Sequence, residues 1–245
     1  MRRLSLLLLL ILSTSFYAQK KKKDTLPIPK WKILGRFSFV FNQSSFTNWV
    51  SGGENTVAGD INIHYDFNYK KKNINWDTRI LTGYGLSHLN GKGYRKTNDR
   101  FELNSLLGVK SGKNWFLSQF LNFKTQYTRG YNYKKTPPLP VSDFLSPAYL
   151  SLGPGMLWKK SDNSNINIAP ATARLTMVSD FFSGKFGVDE GDNTAFSLGF
   201  NLASYFKFSV MENVEVENVL TVYSDYLDQP ENIDIENQMN IRFKV

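Results

Sequence analysis

The chain has 245 residues, 41% hydrophobic and 15% aromatic, with 30 Lys and Arg set against 21 Asp and Glu. It holds no cysteine, which excludes disulfide scaffolds, Cys-ligated zinc, thiol catalysis and lipid attachment through an N-terminal Cys. No apolar run beyond the N-terminus reaches 18 residues, which excludes a bundle of membrane helices but not a membrane barrel, whose strands are only half apolar.

Met1-Arg-Arg, the apolar run Leu4–Leu12 and the small-residue exit Ser13–Ala18 have the pattern of a secretory signal, with cleavage expected after Ala18. Nine residues, all apolar but Ser5, are too few to cross the roughly 30 Å of a bilayer core, so this run is not read as an anchor. Loss of residues 1–18 takes Arg2 and Arg3 away and lowers the net charge from +9 to +7. Residues 19–30, with Lys20–Lys23 and Leu26-Pro-Ile-Pro29, read as a basic, extended periplasmic lead-in. An exported chain seldom meets nucleic acid, so no nucleic-acid partner is expected.

Residues 31–245 are expected to form one domain. After a strand over Ile33–Phe41 comes an aperiodic stretch, 42–56, that carries Asn48, Trp49, Gly52, Gly53 and Glu54. Gly52-Gly53 supplies a turn with positive φ. A loop with an indole and several amides suits a binding surface or a plug; equally, Trp49 can simply brace neighbouring loops.

From Val57 the odd positions read Val, Gly, Ile, Ile, Tyr, Phe, Tyr, and the even positions from Ala58 read Ala, Asp, Asn, His, Asp, Asn, Lys. That is the period of a strand. It recurs over Ile74–Leu86, Phe101–Val109, Trp115–Thr128, Tyr149–Trp158, Ile166–Val178, Phe196–Phe208, Val214–Val222 and Ile235–Val245, about ten strands with no helix. A change of phase near Pro170 predicts a bulge or kink. Short polar turns at 70–73, 110–114, 159–165 and 210–213 alternate with longer connections at 42–56, 87–99, 129–147, 179–194 and 227–233. Alternation of short turns with long loops, and an even strand number, are features of an up-and-down outer-membrane barrel. Trp31, Trp76, Trp115 and Trp158 fall beside strand ends on the short-turn side, as an aromatic girdle requires. A soluble barrel or sandwich of lipocalin type is the alternative.

The polar faces would then line the interior. Pairing Tyr69 with Ile74 sets His64 opposite Arg79 and Asp66 opposite Asp77, and these four form a candidate polar network. Facing carboxylates can raise one pKa for acid–base work, or be neutralised by Arg79 in a salt-bridge lattice. No nucleophile elbow, phosphate loop or zinc pattern is present, so no catalytic, cofactor or metal residue is assigned. His88, Asp99 and Asp225 near loop ends are the candidates for an enzymatic rim.

The run Gln43–Asn55, with Asn48-Trp49 and Gly52-Gly53-Glu54, resembles the N-terminal signature of an uncharacterised outer-membrane barrel family of Bacteroidetes, a domain of unknown function. Phe144-Leu-Ser-Pro-Ala-Tyr-Leu-Ser-Leu-Gly-Pro-Gly155 and Ile166-Asn-Ile-Ala-Pro170 resemble further landmarks of that family. The resemblance extends over the mature chain and implies localisation and fold, with no activity. The expectation is therefore an all-β, single up-and-down antiparallel transmembrane β-barrel of about ten strands in a Gram-negative outer membrane. Its partners would be outer-membrane lipid and a ligand or protein at the outer loops, in a binding, transport or structural role. A surface enzyme of the omptin or lipid-modifying kind is the alternative.

Overall fold

The computed structural model describes residues 30–47, 50 and 53–244. The expected signal (1–18) and all but the last residue of the lead-in lie outside the described residues, as do Asn48, Trp49 and Gly52. The chain runs through β1 (Trp31–Ser44), β2 (Thr56–Lys71), β3 (Ile74–Leu89), β4 (Gly93–Lys110), β5 (Trp115–Thr125), β6 (Gly130–Asn132), β7 (Leu139–Ser142), β8 (Ala148–Ser161), β9 (Ser164–Met177), β10 (Thr194–Met211), β11 (Val214–Asp225) and β12 (Ile233–Phe243). A single 3₁₀ turn at Asp180–Phe182 is the sole helical element among the described residues. β1–β5 and β8–β12 form one ten-stranded antiparallel sheet in chain order, and β6 with β7 forms a separate hairpin.

The two-residue alternation read from the sequence sets two faces, and their burial is the reverse of a soluble protein's. On β5, Leu117 is 59% exposed while the next residue, Ser118, is 7% exposed. Asn75 is buried beside the exposed Ile74 and Trp76, and Asn167, Thr172, Asn201 and Ser204 are buried as well. Ser118 Oγ donates to Asn167 Oδ1 at 2.6 Å, so part of this buried polarity is mutually satisfied. Phe37, Phe39, Ile61, Phe196, Ile235 and Ile241 are exposed on the apolar face.

The polar face is concave. Lys124 on β5 meets Glu236 on β12 at 2.9 Å, although five strand intervals separate them in the sheet. In a flat sheet that separation is about 24 Å, beyond the joint reach of the two side chains. Lys159 on β8 likewise meets Asp77 on β3 at 2.8 Å, and Arg174 on β9 meets Asp234 on β12 at 3.0 Å. The sheet therefore curls its polar face inward. Among the described residues β1 and β12 each pair with one neighbour, which leaves one free edge on each.

Trp31, Trp76, Trp115 and Trp158 share the short-turn end. The Trp31 ring lies 4.9 Å from that of Tyr69 and 5.8 Å from that of Trp76, and Trp115 pairs with Trp158 across β5 and β8.

Three local expectations need correction. The β2–β3 turn has two residues, Lys72 and Asn73, with Lys72 at φ 48°, where four were expected. The strands therefore run to Lys71 and Ile74, and the register moves by two: Tyr69 pairs with Trp76, Asp66 with Arg79, and His64 with Leu81. The expected long loop at 87–99 is strand almost throughout, closed by Asn90-Gly91-Lys92 with Gly91 at φ 75°. The expected strand over Trp115–Thr128 stops at Thr125, and the connection that follows contains the β6–β7 hairpin, with Pro140 inside β7.

The irregularity expected at Pro170 is present. Pairing of β9 shifts between Ala169 and Thr172, opposite Gly153-Pro154-Gly155 of β8 on one side and Gly199–Asn201 of β10 on the other. Neither proline can donate to the ladder. A Cβ at Gly153 would lie 2.7 Å from the Ala171 carbonyl oxygen, so glycine permits this close approach of two backbones.

Candidate functional site

Two regions concentrate chemistry: the concave polar face and the end of the sheet that carries the longer connections. On the concave face the structure brings together His64, Asp66 and Arg79. Arg79 Nε donates to Asp66 Oδ1 at 2.7 Å. His64 Nε2 lies 3.1 Å from Asp66 Oδ2, without the alignment of a hydrogen bond. Asp77 does not join this group. Its partner is Lys159 Nζ at 2.8 Å, which also contacts Asp162 at 3.2 Å.

The predicted meeting of Asp66 with Asp77 fails because of the register: the tight turn sets Asp66 opposite Arg79 and Asp77 opposite Asn68. Each carboxylate has a cation of its own, an arrangement that neutralises charge and leaves no acid pair to share a proton. Glu215 and Glu217 continue the pattern with Arg242 at 3.1 and 2.8 Å, and Lys207 meets Glu215 at 3.1 Å. Sequence reasoning missed Lys159, Arg174 and Asp234 as members of this lattice. Lys159 sits on the polar parity of β8, which runs two residues further, to Ser161, into the stretch expected as a turn.

At the loop end, Gly53 has φ 152°, and a Cβ there would lie 2.8 Å from the ring of Phe46. Glu54 forms an ion pair with Lys92 of the β3–β4 turn. Asn55 Oδ1 accepts the Phe46 N–H at 2.6 Å, and the Asn55 carbonyl accepts the Asn90 N–H at 3.0 Å. These contacts fasten the β1–β2 connection to the β3–β4 turn. Beside them is an open cleft of about 200 Å³ lined by Gln43, Ser45, Asn55, Thr56, His88 and Asn90, among others. Amides, hydroxyls and one imidazole can hydrogen-bond a polar ligand.

The three rim candidates are occupied separately, and no hydrogen bond or ion pair joins them among the described residues. His88 packs on Tyr94 with ring centroids 4.7 Å apart. Asp225 accepts the Leu227 N–H at 2.9 Å. Asp99 has the densest set of contacts. Its carboxylate accepts the N–H groups of Tyr127 and Thr128 at 2.8 and 2.9 Å, the Thr128 hydroxyl at 3.0 Å and Lys96 Nζ at 2.6 Å. β4 outruns β5 at this end, and the Asp99 carboxylate replaces the ladder partner that the departing chain lacks.

Arg95 stacks over Tyr133 at 4.5 Å, and Arg129 Nε bonds Asp143 at 2.6 Å, which holds the hairpin connection against β4 and against itself. Partial burial raises the affinity of Asp143 for its proton, but the Phe144 N–H and the Arg129 guanidinium outweigh it and hold the carboxyl below its usual range. The connection 178–193 has its own small core of Val178, Phe182 and Val188, with Phe182 fully buried. Ser146 Oγ accepts the Ser179 N–H at 2.7 Å and ties this connection to the preceding one. Tyr94, Phe144, Phe181 and Tyr226 remain exposed around this end.

Residues 41–131 match a family model described as a protein of unknown function (DUF3078). That stretch runs from Phe41 of β1 to Tyr131 of β6, so it contains the Gly53–Glu54 corner and the His64–Asp66–Arg79 group. The Phe144–Gly155 and Ile166–Pro170 landmarks lie beyond it. No curated protein and no solved structure matches the chain.

Proposed function

We propose that this chain is an outer-membrane β-barrel, exported through a cleavable signal, whose role is binding or structural and not catalytic. The inverted polarity of the sheet carries this reading. Exposed Phe, Ile, Leu and Met side chains on one face and buried Asn, Ser and Thr on the other suit a protein with lipid outside and a polar interior. The tryptophan cluster at the short-turn end supports it, because amphipathic rings favour the headgroup level.

Curvature supports closure. Lys124 and Glu236 meet from the fifth and tenth strands of the sheet, and strands five places apart in a ring of ten face each other across its axis. The same ion pairs fill the interior. Open aqueous channels belong to barrels of about 16 strands or more, whereas smaller barrels are packed with side chains. The outer loops, with their polar cleft and exposed aromatic rings, then offer the face for a ligand or protein partner.

The test of placement is fractionation of cells that produce the full chain. The protein is expected in the outer membrane, and unboiled samples should migrate differently from boiled ones. Recovery from the soluble periplasm would overturn the reading. A second expected outcome concerns transport: purified protein in a planar bilayer should show little or no conductance to ions. Large, stable channel steps would mean that the Asp77–Lys159 and Lys124–Glu236 pairs do not obstruct the interior.

A further inference from the structure

The free edges of β1 and β12 present unpaired N–H and C=O groups, the usual template for pairing with another strand. We propose that each edge is the other's partner, joined antiparallel with Ser38 opposite Gln238; this rests on the barrel reading and adds the register of its seam. β1 runs away from the short-turn end and β12 runs back toward it, so the two edges are antiparallel as closure requires.

The ladders fix the rest. From Trp31 the pairing passes through Tyr69, Trp76, Leu107, Gln119 and Pro154, crosses the bulge of β8 and β9, and continues through Phe200 and Ser224 to Ile233. Closing a barrel offsets the last strand against the first by the shear. For ten strands tilted about 35–45°, the strand rise and spacing give a shear of about 10, 12 or 14 residues. Ile233 then meets Phe41, Gln43 or Ser45. Each option leaves Asn237 opposite a phenylalanine on the outer face, and the two longer ones also set Gln43 opposite an isoleucine, so polarity alone does not choose.

Charge on the inner face does. The shortest shear sets Arg242 directly opposite Lys32, and the longest sets it opposite Arg36; like charges directly opposed destabilise a pair of strands. The longest also draws Ser45, which lies beyond the end of β1. The middle shear sets Arg242 opposite Leu34, Arg36 opposite Asn240 and Ser38 opposite Gln238, and its one like-charged pair, Lys32 with Lys244, falls beyond Phe243, where β12 ends. On the outer face it sets Phe37 beside Met239 and Phe41 beside Ile235.

The chain has no cysteine, so paired substitutions report contacts without background. Ser38→Cys is combined in turn with Glu236→Cys, Gln238→Cys and Asn240→Cys, in the full chain in native membranes under mild oxidation. Directly opposed positions lie about 4.5–5.5 Å apart, within disulfide range, and diagonal ones about 7–8 Å apart, largely outside it. The Gln238 pair should form an intramolecular cross-link several-fold more completely than either neighbour. Phe37→Cys with Met239→Cys repeats the test from the outer face, should the inner substitutions disturb folding. A maximum at Glu236 or Asn240 would overturn this register and leave the closed barrel standing. Cross-linked dimers, or no cross-link with any partner in heat-modifiable protein, would overturn closure itself.

Discussion

Phe37→Arg should destabilise the membrane-inserted protein by about 2–4 kcal/mol, the cost of an arginine facing lipid near the bilayer midplane. Phe37 is 66% exposed, lies on the apolar face of β1, and sits six residues from Trp31 at the girdle. In water, a charged replacement at so exposed a position changes stability by no more than about 0.5 kcal/mol. Tyr94 is the control: it is 72% exposed but lies at the loop end, and Tyr94→Arg should stay within that small range. Denaturant titration in lipid vesicles, followed by the gel shift, measures both variants side by side. Equal effects would mean that the two rings meet the same medium, and the proposed membrane placement would fail.

Asp99→Ala should release the connection between β5 and β8 at a local cost of about 3 kcal/mol, typical of removing one partner of a buried, hydrogen-bonded ion pair. The Asp99 side chain is 2% exposed, and its loss leaves two backbone N–H groups without their acceptor and Lys96 with the Thr128 carbonyl alone. Trypsin added to whole cells should then cut at Arg129, Lys134 or Lys135 at least tenfold faster than in the parent. Heat-modifiability should persist, because the β4–β5 ladder from Phe101–Thr125 to Lys110–Phe116 is untouched. Unchanged cleavage would show that the Lys96–Thr128 bond, the Arg129–Asp143 pair and the Arg95–Tyr133 stack hold the connection without Asp99.

These two variants separate what each kind of information supplies. Phe37 can be chosen from the alternation of apolar and polar residues alone. Asp99 can be singled out in the sequence only as an acid near a loop end; that it anchors Tyr127 and Thr128 depends on β4 extending past β5. The sequence stretch of greatest interest, around Asn48 and Trp49, is legible as aperiodic, and of it the structure adds the Gly53–Phe46 contact and the Glu54–Lys92 pair.

Parity is legible along a single strand. A period of two is local, so it assigned His64, Asp66, Asp77 and Arg79 to one face, predicted a ten-strand meander, and located the Pro170 irregularity. Register and partnership were decided by the tertiary structure. A slip of two residues preserves the parity of every side chain, so no pattern along one strand can detect it. The two-residue Lys72-Asn73 turn settled it, and with it the pairing of Asp66 with Arg79 in place of Asp77. Pairs such as Asp77–Lys159 and Lys124–Glu236 join residues 82 and 112 positions apart. They exist because the whole sheet curves, a property that no single strand encodes.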